Sequence, residues 1–397
     1  MPGKLSASNQ PSVKVSPRGA ARLNDGHVWV YRSDVASAEG APPGALVRVL
    51  DQRGRLLGSA LYSSSSQIAI RMISRDEVRN LSGLIAERIR TAITYRRGVV
   101  AHTNAYRLVF SEGDFLPGLI ADCYNDVLSL QVLTQAMDAE PIREIVVQTL
   151  AEEIEPAGIV ERVDPRIRVL EQLPSRASGL IWGGKSSTVV EMNGVRLHCD
   201  GLEGQKTGAF LDQRENYAAA AQYGRGEALD VFCYQGGFAL HLAPKCPAVT
   251  GVDSSRPALE MAEQNAALNG RELEWVEGNA FDLLKDYSAA GRQYDTIVLD
   301  PPAFAKTKRD MDKALRGYKE LNLRALKMLR PGGILVTCSC SFHVSAQDFL
   351  DVVADAASDA HRQVRLIEQR SQAKDHPILL NVPETSYLKC LVMFVSS

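Results

Sequence analysis

One stretch limits the fold more than any other: residues 227–244, EALDVFCYQGGFALHLAP. The apolar run 228–234 lies between a charged residue and a glycine pair. That predicts a buried strand of a parallel sheet. Gln235, Gly236 and Gly237 predict a turn, and 238–243 a helix start stopped by Pro244. Strand, glycine turn and helix N-terminus together form the usual seat of a nucleotide-like ligand in an open α/β sheet. An ordinary βαβ unit with a tight turn is the competing reading of this stretch alone.

The next strands sharpen it. Residues 248–252 are apolar and end in Asp253, 23 positions after Asp230. An acidic side chain there is placed to accept from ribose hydroxyls. The dinucleotide pattern GxGxxG is absent. Asp230 instead precedes the paired glycines by six, a spacing that fits S-adenosylmethionine better than NAD. Residues 294–304, YDTIVLDPPAF, predict a strand with Asp300 at its carboxyl end and a loop stiffened by two prolines. Residues 329–341, LRPGGILVTCSCS, predict a Pro-Gly-Gly turn, a strand and a Cys-Ser-Cys-Ser loop. Four strand ends then face one crevice with Gly236, Asp253, Asp300 and Cys340.

With these motifs the chain resembles the bacterial 23S ribosomal RNA cytosine-C5 methyltransferase family, over nearly its whole length. The matching segments are GQKTGAFLDQREN (204–216), FCYQGGFAL (232–240), DPPAF (300–304) and SCS (339–341). The resemblance implies an α/β protein in three parts. Residues 1–76 would be a small β-barrel PUA domain that binds RNA, its first twelve residues disordered. Residues 77–198 would be a middle α/β domain. Residues 199–397 would be a Rossmann-like class I methyltransferase domain with a mostly parallel, doubly wound sheet. The cofactor is S-adenosyl-L-methionine, the partner large-subunit ribosomal RNA, and a homodimer stays open.

The resemblance also implies roles for residues. Cys340 is the nucleophile, with Cys338 second, and Asp300 is its partner. Lys206, Thr207, Phe210, Asp212, Gln213 and Arg214 lie over the cofactor. Lys206 or Arg214 would meet the methionine carboxylate, since arginine pairs bidentately with such groups. Asp230, Phe232, Tyr234, Gly236, Gly237 and Phe238 form the first loop, and Asp253 with Ser254 the ribose contact. Asn279, Ala280 and Phe281 stand at the adenine position, where many relatives have an acidic residue. Asp300 and Pro302 complete the cofactor set. A related group of enzymes places a second cysteine after the proline, for product release, where this chain has Ala303.

Composition narrows the setting. No apolar run reaches the roughly 18 residues of a membrane span, and the first ten residues lack a signal-peptide core. Seven cysteines without framework spacing point to a reducing cytoplasm. No Cys-x-x-Cys pair or histidine cluster suggests a metal. The net charge of −2 hides an asymmetry: residues 1–110 hold 16 Lys/Arg and 7 Asp/Glu, a balance of +9, and the rest carries −11. A basic first quarter suits an RNA-binding module on a catalytic body. Arg18, Arg22, Arg48, Arg53, Arg55 and Arg71 are candidate phosphate contacts there, with Lys306, Lys308 and Arg309 in the later loop. His27, Trp29 and Tyr31 stack on RNA or pack within the barrel.

Carbon 5 of cytosine is a poor nucleophile, so chemistry there calls for a thiolate adding to carbon 6. The base must also leave its stack to reach the cleft. An amine-directed RNA methyltransferase, such as a guanine-N7 enzyme, shares the DPP-x-F loop and needs no cysteine. A non-catalytic RNA-binding assembly protein is the third reading. Cys340 discriminates the first two, and calorimetry with the cofactor discriminates the third.

Overall fold

The structure is a computed structural model and describes residues 10–202, 210–305 and 307–396. Its first part is a six-stranded sheet between Ser12 and Ser74. Strands Leu46–Leu50, Leu56–Tyr62 and Ile68–Ser74 bury residues such as Val47, Val49, Ala60 and Ile70. Where short strands alone are expected, Pro17–Asn24 is an α-helix. Ser16 caps it by accepting from Gly19 N, and Pro17 opens it, where a missing N–H is no loss. The Ser-Pro pair carries that helix signal.

Helix Leu81–Val99 leaves this sheet. Its Ile85, Ile89 and Ile93 share one core with Leu61 and Ile73 before it and with Leu108, Leu119 and Leu128 after it. The latter belong to a five-stranded sheet, Ala105–Phe110, Leu119–Tyr124, Val127–Val132, Gly158–Glu161 and Gly179–Gly183. The strands Ser187–Met192 and Val195–Asp200 pair across Asn193 and Gly194. Both turn residues have positive φ, the geometry an Asn-Gly hairpin turn needs. Val190, Met192, Val195 and Leu197 pack with Leu211, Leu240 and Ala266 in one cluster. A boundary drawn at 198 therefore runs through shared apolar packing.

The site sits on the last sheet. Its strands are β1 (Glu227–Val231), β2 (Ala248–Asp253), β3 (Glu274–Glu277), β4 (Tyr294–Leu299), β5 (Leu329–Ser339), β6 (Gln363–Arg370) and β7 (Lys389–Ser396). They lie in the order β3-β2-β1-β4-β5-β7-β6, parallel from β3 to β5, with β7 antiparallel to both neighbours. Tyr217 and Phe238 pack on one face, and Tyr318, Leu321 and Phe349 on the other. Helices on both faces make the sheet doubly wound, as expected. The turn at Asp375-His376-Pro377 lies between β6 and β7.

Candidate active site

β1 is shorter than its apolar run predicts. The strand stops at Val231, and Phe232 (φ 67°) and Tyr234 (φ 50°) adopt left-handed backbone. Non-glycine residues reach that region at a cost, and such residues cluster at ligand sites. The chain thereby folds over the sheet edge and points Phe232 and Tyr234 into a cleft of about 410 Å³. Gly236 and Gly237 are required by close approach: a Cβ on Gly236 would lie 2.8 Å from the Trp275 ring, and on Gly237 2.6 Å from Tyr217.

The cleft brings together most of the expected residues. Phe210, Asp212, Gln213, Phe232, Tyr234, Gly237, Phe238, Asp253, Ser254, Asp300, Pro302 and Cys340 all line it. Phe210 and Tyr234 meet edge to face at 5.1 Å. Asp253 accepts from Tyr234 N and Ser255 N, both at 2.9 Å, so its carboxylate is fixed at the end of β2. Apolar walls, a strand-end carboxylate and a glycine turn with no room for a side chain suit an adenosine-bearing ligand.

Other expected residues sit elsewhere. Arg214 is 1% exposed and pairs with Asp375, Nη1 to Oδ2 at 2.7 Å, so the placement corrects its assignment to the methionine carboxylate. Burial would raise the Asp375 carboxyl, but His376 and Arg214 outweigh it and hold it well below the usual range. His376 is buried against that carboxylate, a structural turn residue. Asp230 lies under the first loop, accepting from Ala239 N at 2.8 Å, with its other oxygen buried and unbonded. Burial pushes its carboxyl up to about 8, against the Ala239 hydrogen bond. Its place is support of the loop. Asn279 caps helix Ala280–Ala289 through its carboxamide oxygen, so the backbone takes the acceptor of the amide expected at the adenine position. Asn279, Ala280 and Phe281 do not line the cleft, and Phe281 packs near Phe304. Lys206, Thr207 and Lys306 lie outside the described residues, as does the side chain of Lys308.

Asp300 and Cys340 are positioned by residues of the quoted motifs to which the sequence assigned another role, as for Gln213, or none, as for Asn216 and Ser341. Asp300 accepts from Gln213 Nε2 at 2.9 Å, Gln213 accepts from Asn216 at 2.7 Å, and Asn216 accepts from Arg370 at 3.0 Å. The segment LDQREN is thus a relay behind the carboxylate. Ser341 Oγ accepts from Phe304 N at 3.0 Å and Ala305 N at 3.2 Å and bonds the Tyr318 hydroxyl at 2.9 Å. It ties the DPPAF loop to the SCS turn, and Cys340 and Asp300 line the same cleft. The Cys340 thiol points at Pro301 O, 3.9 Å away. Cys338 is fully buried, faces Cys390 across β5 and β7, and does not line the cleft. Burial raises its thiol well above the ordinary range. β5 ends at Ser339, so the two cysteines part where the strand stops.

The expected RNA-contacting arginines divide. Arg71 is 8% exposed and pairs with Glu171 at 3.3 Å and Glu112 at 3.8 Å, so it holds the first part to the middle one. Arg48 reaches Glu77 at 4.0 Å, and Arg22 lies over the Tyr31 ring at 4.6 Å. Arg18 and Arg55 stay largely exposed while bonding Asp34 and Asp51. Arg53 and Arg309 are exposed. His27 bonds Glu384 and Trp29 bonds Glu112, so packing accounts for both. Among the described residues no helix is long and apolar enough to cross a membrane, and no His/Cys/Asp/Glu group would hold a metal.

Sheet order, strand-end cleft and glycine loop are those of a class I methyltransferase. A PUA-like domain model matches residues 13–75, and an S-adenosylmethionine-dependent methyltransferase model matches residues 115–392. A protein of Shewanella denitrificans named Ribosomal RNA large subunit methyltransferase I is 38% identical over 392 residues, covering 96% of this chain and 98% of that protein. One of the same name from Shewanella amazonensis is 40% identical, covering 96% and 98%. A solved methyltransferase complexed with SAH superposes with a TM-score of 0.83 at 19% identity, covering 97% and 100%, which shows the fold. The chain belongs to the S-adenosylmethionine-dependent methyltransferase family, in the group of the ribosomal RNA large subunit methyltransferase I proteins.

Proposed function

We infer that the protein methylates large-subunit (23S) ribosomal RNA at carbon 5 of cytosine. The relatives' shared name and near full-length identity support the RNA substrate. The observation that carries the reaction type is Cys340, which lines the cleft with Asp300 and is half-buried, whereas the other cleft cysteine, Cys233, is buried. Phe210, Tyr234, Gly237, Phe238, Asp253 and Ser254 would hold S-adenosylmethionine, which supplies a sulfonium methyl.

The residues then divide the work. The Cys340 thiolate adds to carbon 6 and makes carbon 5 enamine-like. Asp300, fixed by Gln213, faces the ring nitrogen and exocyclic amine of the unstacked base. Carbon 5 takes the methyl group. A base then removes its proton, and the carbon–sulfur bond breaks to restore the aromatic ring and the thiolate. Ala303 lines the cleft where a related group has its second cysteine, so release here uses another base. A ribosomal RNA substrate goes with the expected cytoplasmic setting.

The test is ribosomal RNA from a strain lacking the gene, incubated with the purified protein and labelled S-adenosylmethionine. One new 5-methylcytosine is the expected product. Label on a guanine nitrogen would favour the amine-directed reading. RNA carrying 5-fluorocytosine at the target should trap a covalent complex, because fluorine replaces the proton that must leave. Cys340→Ala should lose both adduct and turnover, and Cys338→Ala should keep both.

A further inference from the structure

Lys389 opens β7 opposite Ser339, the last residue of β5. Its Nζ donates to Ser341 O at 2.7 Å and to Tyr387 O at 2.9 Å. The ammonium is therefore anchored on the residue directly after Cys340. Two of its three N–H groups are taken by carbonyls. No carboxylate lies within ion-pairing distance of it among the described residues. A lysine that is neither exposed nor paired with a carboxylate is uncommon, because an ammonium loses hydration on burial.

The charged and titratable neighbours come from every element around the thiol. Asp348, on the helix Ala346–Asp359, acts on Lys389 electrostatically, but its carboxylate caps that helix by accepting from Ser345 N and Oγ. Tyr318 bonds Ser339 and Ser341 through its hydroxyl. Asp300 shares the cleft with Cys340 and accepts from Gln213. Among these described residues Lys389 is the cation, and its hydrogen bond to Ser341 O holds the ammonium beside the turn that carries Cys340. Burial pulls the Lys389 ammonium down to about 8, with Cys340 and Asp348 opposing. An anion on the sulfur gives the ammonium the partner it otherwise lacks.

We propose that Lys389 is a positioning residue that holds Cys340 as a thiolate, through the charge it presents beside the SCS turn. Ionisation releases the thiol proton to solvent, and Lys389 keeps its own proton. The role rests on the reading of Cys340 as nucleophile, but it concerns the thiol alone and is measured without RNA.

The experiment is the pH dependence of alkylation of Cys340 by iodoacetamide in the full chain, with Cys340→Ala subtracted as background. The other six cysteines are buried. Lys389→Met removes the charge and keeps the stem, so the pH midpoint should rise by about one unit. Lys389→Arg keeps the charge and should stay within a few tenths of the parent. If the Met variant unfolds, Lys389→Gln keeps two donors for the two carbonyls and carries the same comparison. An unchanged midpoint in the neutral variants overturns the proposal. So does an equal rise in Lys389→Arg, which would make Lys389 a clamp on the turn and nothing more. If the midpoint shifts as expected while Cys340→Ala still methylates RNA, the ion pair stands and the nucleophile reading falls.

Discussion

Gln213 Nε2 donates to Asp300 Oδ1 at 2.9 Å, across 87 positions of sequence. The bond fixes which face of the carboxylate is left for a substrate. Behind it Asn216 and Arg370 hold Gln213 in place. Removing the donor takes this hydrogen bond from the Asp300 carboxylate. Gln213→Ala should lower kcat/KM on RNA by roughly ten- to hundredfold, the kinetic equivalent of about 1–3 kcal/mol. Cofactor affinity by calorimetry should change much less. An equal loss in both measurements would make Gln213 a cofactor contact.

Asp253 stands at the end of β2 with both oxygens already fixed by backbone N–H groups. Asp253→Ala should weaken S-adenosylmethionine binding by roughly 1–3 kcal/mol. Calorimetric affinity equal to that of the parent would show that the ribose does not reach this carboxylate.

The Arg214–Asp375 pair is buried within the catalytic part, and Asp375 ties it to the middle one. Asp375 also accepts from Arg107 N at 2.8 Å, and its carbonyl from Arg96 at 2.8 Å. Breaking a buried pair leaves an uncompensated charge and costs about 3–5 kcal/mol. Asp375→Ala should therefore lower the thermal midpoint sharply. The folded carboxyl is held below its unfolded range, so this contribution is complete above about pH 4 and is lost on further acidification. A variant as stable as the parent at pH 7 would refute the joint.

Asp230 has the opposite sign. Its folded carboxyl titrates near 8, so between about pH 4 and pH 8 the folded chain holds a proton that the unfolded chain has released. Parent stability should fall over that window as pH rises. Asp230→Asn mimics the protonated form and should flatten the fall, as read by denaturant midpoints at pH 5 and pH 8. Identical slopes would mean that Asp230 is ionised when folded.

Arg309 is exposed in the loop after Asp300, whereas Arg71 is buried between two glutamates. Arg309→Ala should weaken RNA binding and reduce the salt slope by about 0.7–0.9 for one lost phosphate contact. Arg71→Ala should act on stability and leave that slope unchanged. The reverse pattern would place the RNA on the inner face of the first sheet.

Much of this protein was legible in the sequence because the signals are local. Periodic apolar runs with glycine and proline stops mark β1, β2, β4 and β5, and strand ends in a parallel sheet converge on one edge whatever lies between them. Asp253, Asp300 and Cys340 could therefore be placed together from spacing alone. The Asn193-Gly194 turn and the Ser345 cap are equally local, since each depends on two to four neighbouring residues. What only the tertiary structure decided is the partner of each buried charge. Arg214 reads as a ligand contact until Asp375 arrives from 161 positions away, and Arg71 as an RNA contact until Glu112 and Glu171 close on it. Asn279 reads as an adenine contact until the helix it caps takes its oxygen. Lys389 gives no sequence signal at all, because its meaning depends on β7 lying antiparallel to β5 and reaching the turn that carries Cys340. A charge takes its function from what it is paired with, and pairing across long sequence separations is settled by how the sheets and helices close on one another.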